Sequence, residues 1–375
     1  MTSLFNSFEK KLMKTLLQKA ALQKGKTGKN PMVAAAIYDD YKHIISMACH
    51  EKQGEAHAEI KALNIAGSKA ENAHMMITLE PCTHTGLTPP CVNALIKAKI
   101  RRVVFAVKDP NPCVRKNPAE SILKTAGIEV VSSFLEDEAK VINEVFFTNK
   151  IKQRPFVSLK MGCSVDGKIA PTNKNSRYIT HKKSLKQVHR LRREHQAVLV
   201  GVGTVLQDNP QLNVRHHLLK PGYSNPLKII IDPLLTTPLS ATLLQKDDRI
   251  DFPDQVIFVC QKNISNQNLS KLKHVCFWPL IEADGYLKWD QFLKKCYSYG
   301  ICSVLIEGGQ HVFSTALAAR IVDRLEVFMA PLIIAGSDAL SPFSITHFLS
   351  LDHAIKIKDL SVKSCKPDIW IRAQL

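Results

Sequence analysis

The stretch EAHAEIKAL (residues 55–63) sets His57 and Glu59 two positions apart at the start of a helical pattern. Downstream comes EPCTHTGLTPPC (80–91), in which Cys82 and Cys91 each follow a proline. One imidazole and two thiolates make a three-ligand set with a fourth position open, which is the catalytic pattern for zinc. An open zinc site brings a bound water to a pKa near 7, and a carboxylate that is not a ligand is then needed to carry protons. Glu59 suits that role. Taken singly, each residue has a plainer reading: the His as a cap or surface residue, the Cys as small buried hydrophobes. Together, H-x-E upstream and P-C downstream match the zinc deaminase signature, although its second Cys falls at C-x-x-C and here lies nine positions on.

Around this stretch the chain alternates helix and strand. Leu4, Phe5, Phe8, Leu12, Leu16, Leu17 and Ala20 follow helical spacing over 3–24, with Gly25 as a stop. MVAAAIY (32–38) and HIISMA (43–48) read as paired strands around a turn. A helix is expected from about Ala56 to Lys69, strands at 74–79 and 102–107, helices at 89–100, 120–127 and 136–148, and a short strand after Gly127. NKIKQRP (149–155) is the candidate linker. A second alternation starts at FVSLKMGC (156–163) and continues through a helix at 182–195. Strands are expected at 197–203, 227–232, 255–260, 302–309 and 324–334. The expectation is α/β throughout, in two domains, 1–148 and 155–375.

The chain has 375 residues and a net charge of +18. Such a charge suggests nucleic acid, but the Lys and Arg are spread out, with no run of five. Ten cysteines without a regular framework favour free thiols and metal ligands over disulfides. Lys10, Lys11, Lys14 and Lys19 break up the N-terminus, so it does not read as a signal peptide, and no apolar run approaches the roughly 18 residues of a spanning helix. A cytoplasmic protein without a membrane or nucleic-acid partner is expected, and a homo-oligomer.

The long spacing between the cysteines resembles the deaminase half of the bifunctional riboflavin biosynthesis deaminase/reductase family, and the likeness runs over nearly the whole chain. GKNPMVAAAIY, CHEKQGEAHAEIKAL, TLEPCTHTGLTPPCVNALI and VKDPNPCV resemble the family's N-P-x-V-G, H-x-x-x-G-x-x-H-A-E, T-L-E-P-C-S-H-x-G-R-T-P-P-C and D-P-N-P motifs. In the second half, RPFVSLKMGCSVDGKIA, SRYITH, HRLRREHQAVLVGVGTVLQDNPQLNVR and VLIEGGQHVFSTAL resemble its reductase motifs. The resemblance implies a cytidine-deaminase-like N-terminal domain and a dihydrofolate-reductase-like C-terminal domain.

It further implies that His57, Cys82 and Cys91 bind Zn2+, that Glu59 carries the proton and that Asn30 touches the pyrimidine. NADPH would be held by Tyr178, Thr204, Asp208, Gly309, Gln310, His311, Val312, Phe313 and Ser314. The phosphorylated pyrimidine substrate would meet Ser176, Arg192, Leu212, Arg215 and Glu307, with Arg192 and Arg215 apt for phosphate. The glycines of GVGT and EGGQHVFS would expose backbone N–H groups to phosphates at helix starts. Lys160 and Asp166 lie near the site by analogy, without an assigned role. The implied chemistry is hydrolytic loss of the 2-amino group from a 2,5-diamino-6-(ribosylamino)pyrimidinone 5′-phosphate, then hydride transfer that opens ribosyl to ribityl.

The chain departs from the family at Ala34 (Gly), Thr83 (Ser), Leu87 (Arg) and Arg115–Pro118 (G-x-G). In the second half it departs at Tyr178 (Trp), His181, Gln196 (Asp) and Asn213 (Thr). Leu87 removes a cation that could sit near substrate phosphate or ring. Two other readings stay open: a nucleic-acid base deaminase with an RNA-binding accessory domain, and a reductase with an attenuated deaminase half.

Overall fold

The computed structural model describes residues 6–171, 179–215, 218–344 and 351–375. Its internal contacts divide the chain into two compact units, Met1–Gln153 and Arg154–Leu375.

The first unit runs α1 (Ser7–Ala21), β1 (Ala34–Tyr38), β2 (Ile44–Cys49), α2 (Ala58–Ala66), β3 (His74–Ile77), α3 (Cys91–Lys97) and β4 (Arg102–Phe105). It continues through α4 (Pro112–Lys116), α5 (Ala119–Thr125), β5 (Glu129–Val131), α6 (Glu136–Ile142) and α7 (Glu144–Lys152). Its sheet has the order β2-β1-β3-β4-β5. β1 is antiparallel to β2 and β3, and β3, β4 and β5 are parallel. β1 and β3 are buried along their whole length, as strands covered on both faces must be. α1 starts at a capping box, Asn6 with Glu9. The buried Glu9 then meets the Tyr38 hydroxyl at 2.9 Å and pairs with Arg102, pinning α1 to the sheet.

Two expectations for this unit change. The single helix expected over 136–148 is broken at Asn143, whose buried side chain accepts from the N–H of Met32 at 2.7 Å and donates to its carbonyl at 3.0 Å. A tertiary bond to a distant backbone thus overrides local helical continuity. The expected linker 149–155 is helical to Lys152 and turns only at Gln153, in a left-handed conformation.

The second unit contains β6 (Phe156–Ser164), α8 (Lys182–Glu194), β7 (Ala197–Gly201), α9 (Val202–Asp208), β8 (Leu227–Ile231), β9 (Val256–Gln261) and α10 (Gln267–Ser270). It closes with β10 (Val275–Ile281), α11 (Trp289–Tyr299), β11 (Ser303–Gly308), α12 (Gln310–Ala318), β12 (Arg324–Ala330), β13 (Lys358–Cys365) and β14 (Asp368–Gln374). The described strands form one sheet, β10-β9-β8-β7-β11-β6-β12-β14-β13. It is parallel from β10 to β12 and antiparallel across β12, β14 and β13. Arg154 makes a bidentate pair with Asp323 at 2.7 Å, and Asp323 also accepts from Val157 N–H, so the end of the expected linker is fastened to this unit. β10, α11, β13 and β14 were not foreseen from the sequence.

Candidate active site

In the first unit, the loop after β3 and the starts of α2 and α3 converge. His57 occupies the N-cap of α2, yet its side chain makes no cap bond. The ring turns instead toward sulfur: Nδ1 lies 3.2 Å from Cys91 Sγ and 3.5 Å from Cys82 Sγ. Cys91 is the first residue of α3, and its N–H donates to Cys82 Sγ at 3.3 Å. The three donor atoms lie within 4.8 Å of one another. One nitrogen and two sulfurs at this separation can close around a single zinc ion. The other ring nitrogen, Nε2, is 3.4 Å from Thr88 Oγ1, the kind of outer contact that orients a ligating imidazole.

The electrostatics favour the ligand form at Cys82. Cys82 is held down at about 4 by the Cys91 thiol donating to it, against burial and with help from His57. Cys91 is pushed up by its bond to Cys82 and by burial. One proton is therefore shared between two sulfurs that a cation would take over. His57 is raised by its bond to Cys82. Glu59 is buried in the first turn of α2 and raised, by burial first and the charge of Cys82 second. A carboxyl in such surroundings is suited to taking up and releasing a proton.

Asn30 reaches the site through a residue to which sequence reasoning gave no role. Its Nδ2 is 3.0 Å from His50 Nε2, and the buried His50 stands edge-on to His57 with ring centroids 5.4 Å apart. His50 opens the H-x-x-x-G-x-x-H-A-E motif, which was the available signal. Leu87 is 80% exposed in the loop between the two cysteines.

In the second unit, neighbouring parallel strands β7 and β11 each run into a helix at their C-terminal ends. Open α/β sheets place ligands at that end. The two strand–helix turns interlock. A Cβ on Gly308 would lie 2.7 Å from Thr204 Oγ1, and one on Gly201 would lie 3.0 Å from Val312 Cγ2. Gly309 takes φ 92°, a left-handed conformation that side chains disfavour. Thr204 and Gly309 to Ser314 are thus brought together. Val312 and Phe313 bury their side chains in the core. Gln310 Nε2 donates to Ser341 O at 2.8 Å, and Ser314 Oγ accepts from Ser344 N–H at 2.8 Å. Backbone N–H groups at the start of α12, with exposed His311, are what this turn offers a phosphate. Asp208 ends α9. Ser176 and Tyr178 lie outside the described residues.

Arg192 and Glu307 meet each other. The guanidinium grips both carboxylate oxygens at 2.5 and 2.9 Å and donates to Asn213 O at 3.1 Å, and Lys160 Nζ adds a contact to Glu307 at 3.3 Å. Arg192, expected to meet the phosphorylated substrate, makes these three bonds within the protein, since two charges buried together must pair. Burial alone would raise Glu307, but Arg192 and Lys160 hold it at about 2. Leu212 is buried in the core with its backbone at φ 56°, which leaves only its main chain for a ligand. Arg215 is exposed. Asp166 accepts from the N–H groups of Ile334 and Ala335 and so fastens the turn after β6 to the segment after β12.

Comparison with known proteins agrees in both units. Residues 155–371 match the family described as RibD C-terminal domain. Residues 6–107 match the cytidine and deoxycytidylate deaminase zinc-binding region. The riboflavin biosynthesis protein RibD of Aquifex aeolicus is 38% identical over 368 residues, 98% of this chain and 99% of that protein. The Escherichia coli protein of the same name is 32% identical over 362 residues, 92% and 93% of the two chains. Among solved structures, Acinetobacter baumannii RibD superposes with a TM-score of 0.85 at 31% identity, covering 98% of both chains. A diaminohydroxyphosphoribosylaminopyrimidine deaminase/5-amino-6-(5-phosphoribosylamino)uracil reductase from Thermotoga maritima gives 0.83 at 31% identity and the same coverage.

Proposed function

The chain belongs to the RibD family, the bifunctional deaminase and reductase of riboflavin biosynthesis, and from that premise we propose which of its residues perform each step. Residues 1–148 form the deaminase domain and 155–375 the reductase domain. The family uses zinc and NADPH. The substrate is a 2,5-diamino-6-(ribosylamino)pyrimidinone 5′-phosphate, a reading supported by the activity named for the Thermotoga maritima relative.

His57, Cys82 and Cys91 would hold the zinc, which supplies Lewis-acid activation of a water near neutral pH. Glu59 would take a proton from the attacking water and deliver it to the ring nitrogen, then take the second proton of that oxygen as the carbonyl forms and hand it to the amino group that leaves as ammonia. Its buried, raised carboxyl supports that double role. Asn30, tied to His50, orients the pyrimidine edge.

In the second domain, NADPH supplies the hydride. The starts of α9 and α12, with Thr204, Asp208 and the Gly309–Ser314 turn, hold its phosphates, and Tyr178 and Ser176 complete the cofactor and substrate contacts. The carboxylate of Glu307, with Lys160 beside it, faces the reacting sugar. Arg215, exposed where Arg192 is engaged, takes the substrate phosphate, and the Leu212 backbone borders it.

Ten cysteines without a disulfide support a reducing compartment, the cytoplasm. Among the described residues no helix is long and apolar enough to cross a membrane. Edge strand β13 exposes Leu360 and Val362, which supports a homo-oligomer.

The convergence of His57, Cys82 and Cys91 beside buried Glu59 carries this reading. The test is incubation of the purified chain with the diaminopyrimidine nucleotide and NADPH, followed by mass spectrometry. Deaminated and then reduced product is expected. Deamination of a tRNA base, with the free nucleotide untouched, would overturn it.

A further inference from the structure

Glu80 stands two residues before Cys82 and is neither a ligand nor the proton carrier. It is 3% exposed. A carboxylate is costly to bury unless its oxygens find partners. Here both partners are backbone groups from distant segments. Oε2 accepts from Asp109 N–H at 3.0 Å, and Oε1 accepts from Ala119 N–H at 2.9 Å. The N–H of Glu80 itself donates to Val107 O at 2.8 Å.

Each tie does something local residues do not. Ala119 opens α5, and the preceding N-cap is Pro118, which provides no capping side chain. Glu80 therefore caps that helix from across the fold, in place of a neighbouring Asp or Ser. Asp109 begins the turn into α4, and its own Oδ1 accepts from Asn111 N–H at 2.8 Å. One carboxylate thus clamps three segments together. Only Pro81 separates it from Cys82, and the proline ring fixes φ, so a shift of Glu80 passes to Cys82 with little slack. The position of Cys82 Sγ, 3.5 Å from His57 Nδ1 and 3.3 Å from Cys91 N, depends on that segment.

We propose that Glu80 is a positioning residue of the metal centre: through Asp109 and Ala119 it fixes Cys82 Sγ against His57 and Cys91 and sets how tightly the centre holds its ion. The inference rests on the assignment of those three residues as ligands. A merely structural Glu80 would alter stability alone. A positioning Glu80 alters the metal centre even when stability is restored.

The test uses the full chain and two variants. Glu80→Gln keeps the shape but turns an amide NH2 toward a backbone N–H. Pro118→Asp, added to it, gives α5 a cap of its own. Each protein is loaded with zinc and challenged with a chelating dye, then reloaded with cobalt(II) for its visible spectrum. Zinc should leave Glu80→Gln about 10–100-fold faster, the range for outer residues that orient metal ligands. The cobalt bands should shift, and Pro118→Asp should restore the melting temperature but neither metal readout. Recovery of zinc retention and spectrum together with stability would overturn the proposal, as would wild-type zinc retention in Glu80→Gln. If Glu80→Gln does not fold, Ala119→Pro replaces it, deleting one N–H donor at a helix position where proline is favoured. Unchanged zinc loss in that variant is equally fatal. Zinc content in the wild-type chain that Cys91→Ser does not lower would instead refute the ligand assignment and leave Glu80 aside.

Discussion

The two candidate sites are built from different material. In the first unit the site consists of side-chain atoms: one ring nitrogen, two sulfurs and a carboxyl, the three donors within 4.8 Å of one another. In the second it is largely backbone, two strand–helix turns whose glycines allow Thr204 and Val312 to pack where a Cβ would stand. A site made of side chains depends on chemical identity. A site made of backbone depends on volume and on conformation. Substitutions should therefore fail in different ways in the two units.

The sharpest division is expected from Glu59→Gln. The amide keeps the shape and loses the proton. Deamination should fall by about 10²–10⁴-fold, the range for a positioned acid–base group. Zinc content, and NADPH oxidation with substrate already deaminated, should stay at wild-type values. Ammonia release, metal analysis and NADPH absorbance on one preparation check all three. A parallel loss of reductase activity would show that the two sites are not independent.

That difference in material also explains what the sequence disclosed. His57, Glu59, Cys82 and Cys91 were legible because few residue types ligate zinc and their order follows strand, loop and helix. His50 and Glu80 were not, because their roles come from Asn30, Asp109 and Ala119, tens of residues away in the chain. The parallel strands announced themselves as apolar runs, except β10, whose run VCFWPLI was passed over. β13 did not, since it has only Leu360 and Val362 in alternation and no apolar pattern longer than that. α11 did carry one, with Trp289, Phe292, Leu293 and Cys296 on its buried side. Nor was the pairing at Arg192 legible: residue type suggested phosphate chemistry there, and only the fold shows the buried Glu307 beside it.

Glu307→Gln tests that pair. Breaking a buried ion pair costs about 3–5 kcal/mol, which for a unit of this size lowers the melting temperature by about ten degrees. The pH dependence has a definite sign. The folded carboxyl titrates at about 2, below its ordinary value of 4.5. Its contribution is therefore fully present above the unfolded value and is lost as pH falls through about 2. Denaturation of the wild-type chain should show that loss between about pH 4.5 and 2, and the variant should lack it. A wild-type curve flat across this window would mean that the pair contributes nothing.

Gly308→Ala probes volume where Glu59→Gln probes identity. The added methyl would lie 2.7 Å from Thr204 Oγ1, so Thr204 or the turn must move. Overpacking of this kind costs about 1–3 kcal/mol. The KM for NADPH should rise while deamination is untouched. Thr204→Ser, which removes the methyl that approaches Gly308 at 3.0 Å, should tolerate the alanine better. If the double variant binds NADPH no better than Gly308→Ala, contact with the Thr204 methyl is not the reason glycine stands there.

The smallest effect is expected at Leu87, where identity and volume can be separated within the side-chain-built site. Its loop carries Thr88, which touches His57, and ends at Cys91, yet Leu87 itself is 80% exposed and packs on little. Replacing it should not disturb the metal set. A cation there would meet an anionic substrate in solvent, where a single charge pair contributes about 0.2–1 kcal/mol. Leu87→Arg should therefore lower the KM of deamination by up to about fivefold, with kcat and zinc content unchanged, and the gain should shrink as salt screens it. Leu87→Met, similar in size but uncharged, should do nothing. A gain in kcat instead would mean that this loop positions the reacting ring, and that the side-chain-built site extends beyond its four central residues.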